Sequence, residues 1–288
     1  MFSQEAEIIS ADALQVYKGL DIGTAKPSPS LLQRIPHHLI DILDYTQSFS
    51  AGDFCDRTQE CIQEIHSRGN LPVLSGGTAF YFKAWLMGLP QTPPSDPLIR
   101  QRVEERWIHQ DEDAIREALF QVDEVSAQRI GRRDRYRLLR ALEVHEQTGK
   151  ALSSFDVPNT PRQDYPILSL GLRREREELY QRIDQRVDAM MKAGLAHEVA
   201  ELRAGGARPE HPGMKAIGYQ EWFPSEDGRE PELEQVQNLI ARNSRRYAKR
   251  QITFFSSLPD VHWFHPEMEI QGPSGMKETV QKFLNENL

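Results

Sequence analysis

The sequence of 288 residues has few cysteines and lacks any long apolar run. Its two cysteines, Cys55 and Cys61, lie six positions apart in a predicted helix, where their side chains diverge. We therefore expect two reduced thiols rather than a disulfide. No stretch reaches the ~18 uninterrupted apolar residues of a membrane-spanning helix. Residues 1–7 show neither the basic nor the apolar part of a signal peptide. These absences predict a cytoplasmic protein with no membrane partner.

An excess of basic charge is also absent. Acidic side chains outnumber basic ones by 43 to 35, and the formal net charge is −8. This balance argues weakly against a protein that coats nucleic acid, although an average charge can hide a local basic surface. Hydrophobic residues make up 39% of the chain and charged residues 27%, which is typical of a folded globular protein.

Short apolar strands alternate with helices in the first hundred residues. One strand is predicted to end near Ser10, and another at residues 71–74 is flanked by helices at 54–68 and 79–87. This alternation predicts an α/β fold, a parallel sheet with covering helices. Strand signals then stop until residues 167–172, which indicates an all-helical insertion rather than two domains in tandem. We predict a core at 1–96 and 164–288, interrupted by the insertion at 97–163.

Two long helices are predicted in the last third of the chain. Apolar side chains recur every three or four residues from Arg176 onward, which predicts one amphipathic helix ending near Gly205. A last helix is predicted from about Glu232 to Gln251.

Asp12 directly follows the first predicted strand. Open α/β sheets bind ligands at this edge, although an aspartate in a turn is often only a capping residue. Residues 75–78, Ser-Gly-Gly-Thr, join the second strand to a helix. Two glycines let the backbone approach a ligand, and a helix N-terminus offers N–H groups to an anion. A tight turn in which Thr78 caps the helix accounts for this motif equally well.

Two groups of cations stand out against the acidic average. The first, called the basic stripe, lies on one predicted face of the last helix with no acid among its members, which are Arg242, Arg245, Arg246 and Lys249. The second, called the insertion arginines, is interrupted only by Asp134 and comprises Arg129, Arg132, Arg133, Arg135, Arg137 and Arg140. Charge runs are usually solvated surface, but two of them in so acidic a chain favour a phosphate or RNA-backbone partner.

Three further side chains are candidate ligand contacts. Arg176 begins a predicted helix, where a cation opposes the helix dipole, so it indicates an anion nearby. His37 and His38 have no further ligands at suitable spacing, so we expect a structural role for them and identify no metal site.

The chain resembles the tRNA dimethylallyltransferases of the bacterial type. The matching segments keep their order over nearly the whole chain, and together they are highly specific. They are residues 9–19 (ISADALQVYKG), 21–27 (DIGTAKP), 76–78 (GGT), 81–82 (YF), 139–144 (LRALEV), 182–187 (RIDQRV), 216–219 (AIGY) and 248–253 (AKRQIT).

The resemblance implies transfer of a dimethylallyl group from dimethylallyl diphosphate to N6 of the adenosine 3′ of the anticodon. It makes Asp12 the general base for the N6 proton and Thr78 a support for the flipped-out base or the reaction centre. It makes Arg176 a ligand of the leaving diphosphate. It also implies tRNA contacts by Asp12, Ala13, Leu14, Gln15, Thr78, Arg100, Tyr136, Arg137, Leu138, Leu139, Arg140, Lys215, Ala216, Ile217, Gly218, Tyr219, Gln220, Lys249, Arg250, Gln251 and Thr253.

The same resemblance implies a sheet like that of the P-loop NTPases, with Mg²⁺ at the diphosphate. It also implies an insertion that grips the tRNA anticodon stem-loop, and we expect a monomer. The family begins with a strand and a phosphate-binding loop of the Gly-x-x-x-x-Gly-Lys-Ser/Thr type, which cradles the diphosphate and holds Mg²⁺. None of the 288 residues form this motif. We expect that the gene start is placed too late, and the alternative is a remnant that has lost the motif.

Two other functions stay open on the sequence. An adenylate isopentenyltransferase would perform the same transfer on a free nucleotide and would not need the two groups of cations. A catalytically inactive remnant would bind tRNA without binding diphosphate. A nucleotide kinase is a distant further alternative, because no Walker lysine is present.

Overall fold

The computed structural model describes residues 5–158, 160–224, 228–272 and 274–287. The strands are β1 (Ala6–Ser10), β2 (His37–His38), β3 (Leu71–Ser75), β4 (Ser169–Leu172) and β5 (Val261–Phe264). The helices are α1 (Pro29–Arg34), α2 (Ala51–Ser67), α3 (Ala79–Met87), α4 (Pro97–Trp107), α5 (Glu112–Val122), α6 (Glu124–Arg129), α7 (Arg135–Thr148), α8 (Arg176–Lys192), α9 (Leu195–Ala204), α10 (Leu233–Phe255) and α11 (Met276–Asn287). Short 3₁₀ helices lie at Leu152–Ser154, Pro212–Lys215 and Gln220–Trp222.

The chain divides into two compact units. The first combines Met1–Ala84 with Gln163–Leu288 and holds the five strands, and the second is Trp85–Arg162 and holds α4 to α7. The second unit begins at Trp85, within α3, which is earlier than the start of the helical insertion predicted at 97–163.

All described strands pair in parallel, and they form two small sheets. One has the order β2-β1-β3 and the other pairs β4 with β5. β1 and β3 run in register from Ala6 opposite Leu71 to Ser10 opposite Ser75, so the two strands end together. The predicted α/β class is thereby confirmed, with its strands divided between two sheets.

Side-chain caps determine where several helices begin. Ser50 and Asp53 form a reciprocal capping box at the start of α2. Asp96 caps α4 and Asp134 caps α7, each accepting a hydrogen bond from the first turn. α7 ends where Gly149 adopts a left-handed φ of 70°. These signals are local, which is why the helical character of residues 97–149 could be predicted from sequence.

The predicted single helix from Arg176 to about Gly205 is wrong. α8 and α9 are separate helices, because Gly194 adopts a left-handed φ of 100° between them. The apolar stripe nevertheless continues across the break, with Val187 of α8 and Leu195 of α9 buried in the same core.

α10 extends past its predicted end at Gln251 to Phe255, and it is not the last helix, because β5 and α11 follow. It packs through Val236, Ile240 and Ala248. Among the described helices, none combines the length and the apolar character that a bilayer crossing requires.

Each unit has its own hydrophobic core. The core of the first unit lies between the loop after β1, the helices α8, α9 and α10, and the segment around Tyr219. The core of the second unit joins its four helices through Val103, Ile115, Leu119, Ala127, Ile130, Leu138, Leu139 and Ala141.

Glu7 of β1 is a buried carboxylate, 3% exposed, with three polar partners. Arg68 donates to both of its oxygens at 3.0 and 2.8 Å, Asn70 donates at 2.8 Å, and His38 lies 2.7 Å away. The hydrogen bonds from Arg68, followed by those from Asn70 and His38, outweigh burial and lower the pKa of Glu7 from its usual 4.5 to about 2. His38 thus has the structural role expected for it.

This depressed pKa predicts an acid-sensitive contribution to stability. Because the folded pKa lies below the unfolded one, the contribution is fully present above about pH 4.5 and is lost as the pH falls toward 2. We expect Glu7→Gln to lower the urea midpoint clearly near pH 7 and much less near pH 3. An equal difference at both pH values would contradict the assignment.

Candidate active site

The carboxyl ends of β1 and β3 are locked together by backbone contacts. Ala11 donates its N–H to the Ser75 carbonyl at 2.8 Å, and Thr78 donates its N–H to the Ala11 carbonyl at 3.1 Å. A Cβ on Gly76 would lie 2.3 Å from the Ala11 carbonyl oxygen, so this position requires glycine. The Gly-Gly pair therefore serves close backbone packing between the two loops that carry the candidate site.

Asp12 is half-buried at this edge, and its two carboxylate oxygens differ in their contacts. Its Oδ1 accepts hydrogen bonds from the N–H groups of Leu14 at 2.9 Å and Gln15 at 3.3 Å. In the described part of the chain, no group donates a hydrogen bond to Oδ2. One carboxylate oxygen therefore fixes the turn, and the other is open to a ligand.

Thr78 and α10 complete the immediate surroundings of the turn. The Thr78 hydroxyl accepts a hydrogen bond from the Ala13 N–H at 2.9 Å. Gln251 and Tyr247 of α10 both donate to the Gly77 carbonyl, at 2.6 and 3.2 Å. The structure thus brings together predicted site residues from three distant parts of the sequence, and it adds Tyr247, which the sequence analysis did not include.

The charge of Asp12 affects the pKa of two further side chains, those of Tyr247 and Arg186. Burial, and then the negative charge of Asp12, raise the pKa of the Tyr247 hydroxyl, so it stays protonated and can donate. Surrounding protein lowers the pKa of the Arg186 guanidinium by desolvation, and the charge of Asp12 opposes this change. The Arg186 side chain is nevertheless exposed to solvent. Arg186 lies in the matched segment 182–187 but was not predicted as a site residue.

Gln15 connects the Asp12 turn to the loop at residues 21–26. Its Oε1 accepts a hydrogen bond from the Ser10 hydroxyl at 3.1 Å, and its Nε2 donates to the carbonyls of Thr24 at 3.3 Å and Ala25 at 3.4 Å. The Gln15 N–H also donates a hydrogen bond to Asp12. A movement of the loop at residues 21–26 would therefore also displace the Asp12 carboxylate.

Glu198 of α9 holds that loop in turn. Its carboxylate accepts N–H hydrogen bonds from Asp21 at 3.1 Å, Ile22 at 2.8 Å and Gly23 at 3.3 Å. It also accepts the Tyr219 hydroxyl at 2.6 Å. Burial, and then the hydrogen bond to Glu198, raise the pKa of Tyr219, so the hydroxyl stays protonated.

The predicted tRNA-contacting stretch at 215–220 is therefore largely internal. Ala216, Gly218 and Tyr219 are buried, whereas Lys215 and Gln220 are exposed and Ile217 is half-buried. The buried members support the loop, so a contact with tRNA would fall to the exposed ones.

Arg176 stands apart from the Asp12 group. It is exposed at the start of α8, and its guanidinium lies 5.2 Å from the centroid of the Tyr180 ring. Within the described residues, it forms no ion pair and no contact with Asp12 or Thr78. Its role at an anion, and at a diphosphate in particular, stays a prediction.

The basic stripe on α10 is less uniform than predicted. Arg245 pairs with Asp184 of α8, so the stripe does have an acidic neighbour. Arg246 and Lys249 are exposed, and among the described side chains neither has an acidic partner. Beyond the stripe, Arg250 and Thr253 are also exposed, and Arg250 lies 5.8 Å from the centroid of the Tyr247 ring.

The expectation that the insertion arginines form a cluster interrupted only by Asp134 is wrong in three dimensions. Four of the six arginines pair with acids, namely Arg132 with Asp113, Arg135 with Glu112, Arg137 with Asp134, and Arg140 with Glu143. Asp113 and Glu112 belong to α5, a neighbouring helix of the same unit, whereas Asp134 and Glu143 lie three positions from their partners in the sequence.

The other predicted tRNA contacts in this unit divide by exposure. Leu138 and Leu139 belong to the hydrophobic core, so they position α7 rather than meet a ligand. Tyr136 and Arg137 are exposed, and Arg100 and Arg140 are partly covered.

The Mg²⁺ implied by the resemblance would need oxygen ligands, such as carboxylates, from the protein. In the part of the chain that the structure describes, no three His, Cys, Asp or Glu side chains converge as metal ligands. Asp12 and its described neighbours therefore do not form a magnesium site of their own. Cys55 and Cys61 do not form a disulfide with each other.

Known proteins match this chain over most of its length. A family model described as IPP transferase matches residues 15–258. The tRNA dimethylallyltransferase of Geobacter sulfurreducens is 43% identical over 258 residues, which are 89% of this chain and 83% of that relative. The crystal structure of a full-length tRNA isopentenylpyrophosphate transferase from Bacillus halodurans superposes with a TM-score of 0.65 at 36% identity, covering 98% of this chain and 86% of that one.

A eukaryotic dimethylallyltransferase acting on tRNA gives a TM-score of 0.78 at 25% identity, over 98% of this chain and 74% of that chain. The fold and the matches define the protein as a prenyltransferase with an α/β core like that of the P-loop NTPases. More specifically, the chain belongs to the IPP transferase family.

Proposed function

We propose that this chain transfers a dimethylallyl group from dimethylallyl diphosphate to N6 of the adenosine 3′ of the anticodon in tRNA, with Asp12 as the general base. The observation that carries the proposal is the Asp12 carboxylate, which is fixed through Oδ1 and open at Oδ2 where two parallel strands end. Open α/β sheets bind their ligands outside the carboxyl ends of the strands, which is where Asp12 lies.

The proposed step needs one proton acceptor and one leaving group. N6 attacks C1 of the dimethylallyl group, the bond from C1 to the diphosphate oxygen breaks, and diphosphate leaves with the bonding electrons. The proton released from N6 passes to Asp12 Oδ2. Thr78 and Tyr247 border the same turn and would orient the adenine, and Arg176 would stabilise the departing diphosphate. Mg²⁺ stays a prediction of the resemblance.

The adenosine must leave its stack to reach a carboxylate held in a turn, and unstacking costs least in a loop. This favours a tRNA loop over a paired region as the site of modification. The exposed cations on α10 support a polynucleotide over a free nucleotide, because a mononucleotide offers few phosphates to them.

A direct assay tests this proposal. The purified chain is incubated with anticodon stem-loop RNA, dimethylallyl diphosphate and Mg²⁺, and the digested RNA is analysed for dimethylallyl adenosine by mass spectrometry. We expect product only with RNA that carries adenosine at the target position. A matched RNA with guanosine there is the control.

A protein that binds tRNA without catalysis is the second candidate. The 288 residues contain no Gly-x-x-x-x-Gly-Lys-Ser/Thr motif, and this candidate function does not require one. Such a protein would bind stem-loop RNA but release no diphosphate, and calorimetric titration with inorganic diphosphate would show no binding. Product formation in the assay above would reject it.

The basic stripe gives a graded prediction for RNA binding. Arg246→Gln removes an exposed charge and should reduce the slope of log K against log salt by about one. Arg245→Gln removes a charge that Asp184 already neutralises, so it should change the slope much less. Fluorescence anisotropy of labelled stem-loop RNA at several salt concentrations measures both. Equal effects of the two variants would contradict the role given to Arg246.

A further inference from the structure

Tyr136 is an aromatic ring supported on one side and open on the other. It lies in the first turn of α7 and is 69% exposed. The guanidinium of Arg100 from α4 lies 5.0 Å from the centroid of its ring, which is within the range of a cation–π contact. The ring is therefore held on one face, and most of its surface still faces solvent.

Arg100 is itself fixed and neutralised. Its Nε donates to Glu104 at 2.6 Å and its Nη1 donates to Glu143 at 3.3 Å. Its side chain is only 18% exposed. With two carboxylates on one guanidinium, Arg100 is better suited to support the ring than to bind a phosphate.

Glu143 of α7 anchors the whole arrangement. It is fully buried, and it accepts the Ser95 hydroxyl at 2.5 Å as well as hydrogen bonds from Arg100 and Arg140. Arg140 also donates to the Pro93 carbonyl at 2.6 Å. Two guanidiniums thus face two carboxylates, those of Glu104 and Glu143, and the patch carries little net charge.

We propose that Tyr136, backed by Arg100, is a stacking platform for an unpaired base of the RNA. The inference rests on the proposed function, since it takes RNA as the partner. Unpaired bases in RNA loops are commonly bound by stacking on aromatic side chains, whatever their sequence. The patch around Tyr136 therefore contributes a contact with little dependence on salt, in contrast to the exposed cations of α10.

Three variants test the platform in the full chain. Tyr136→Leu keeps an apolar side chain but removes the ring, and Tyr136→Phe keeps the ring. Phe120→Leu is the matched control, because Phe120 is an exposed aromatic residue, 41% exposed, of the same unit. Each protein is titrated with stem-loop RNA that carries 2-aminopurine at one unpaired position at a time, since stacking quenches its fluorescence.

We expect Tyr136→Leu to weaken binding by about 5- to 150-fold at every salt concentration. The quenching at one loop position should disappear, while the slope against log salt stays unchanged. Tyr136→Phe and Phe120→Leu should bind within about twofold of the unmodified protein. Wild-type affinity and quenching in Tyr136→Leu would overturn the platform, and so would a changed salt slope, which would indicate a phosphate contact.

The outcomes separate this inference from the proposed function. Quenching of an unstructured oligonucleotide without binding of the stem-loop would refute the tRNA substrate but retain the platform. No binding of either RNA by the unmodified protein would overturn both.

Discussion

Asp12→Asn should reduce dimethylallyl transfer by about 10²- to 10⁴-fold while leaving RNA binding intact, because the variant loses the proton acceptor. The asparagine oxygen can still accept the two N–H groups, from Leu14 and Gln15, that the aspartate Oδ1 accepts now. The turn therefore keeps its shape, and the loss reports on proton transfer rather than on folding. Single-turnover transfer to stem-loop RNA is the measurement.

Asp56→Asn is the matched control for this experiment. Asp56 is exposed on α2 in the same unit, so its substitution removes the same charge away from the candidate site. Transfer by this variant should equal that of the unmodified chain. If Asp12→Asn also retains full transfer, Asp12 is not the base, whatever its position.

Gly76→Ala is expected to have the second large effect, on stability. The new Cβ would lie 2.3 Å from the Ala11 carbonyl oxygen and within 3 Å of two more backbone atoms of Ala11, which are not free to rotate away. The ends of β1 and β3 must separate, at a cost of about 2–3 kcal/mol. Urea unfolding followed by circular dichroism would show this as a lower midpoint, and transfer should fall because Asp12 moves with Ala11.

Gly205→Ala provides the comparison. Gly205 has an ordinary φ of −76°, and its nearest atoms would be 3.4 Å from an added Cβ. Alanine there should change stability by only a few tenths of a kcal/mol, because it fits and restricts the unfolded chain slightly. Comparable losses in the two variants would show that the contact at Gly76 is not the cause.

Local signals explain what could be predicted from sequence. β1, β3 and α3 follow from short apolar runs bounded by glycine and polar turns, and α4 to α7 follow from capping aspartates and apolar periodicity. The break at Gly194 could not be predicted in the same way, because the helical period of apolar residues continues through it and one glycine is tolerated in many helices.

Contacts between distant residues explain what was missed. Tyr247 reaches the carbonyl of Gly77, 170 positions away in the sequence, and nothing near Tyr247 indicates that meeting. Arg245 and Asp184, 61 positions apart, form an ion pair only because α8 and α10 pack together. The sequence was sufficient to identify the cations of α10 and the Asp12 carboxylate as candidates. Which residues they contact depends on the tertiary fold.

β3 and β4 each lie at the edge of a parallel sheet. Val73 of β3 and Leu170 and Leu172 of β4 are exposed. A sheet edge presents a row of N–H and C=O groups that water satisfies only until another strand arrives. Strand addition would also cover these apolar side chains. The two edges therefore favour association between molecules, which increases with protein concentration. We therefore expect self-association to set the highest concentration at which binding can be measured reliably.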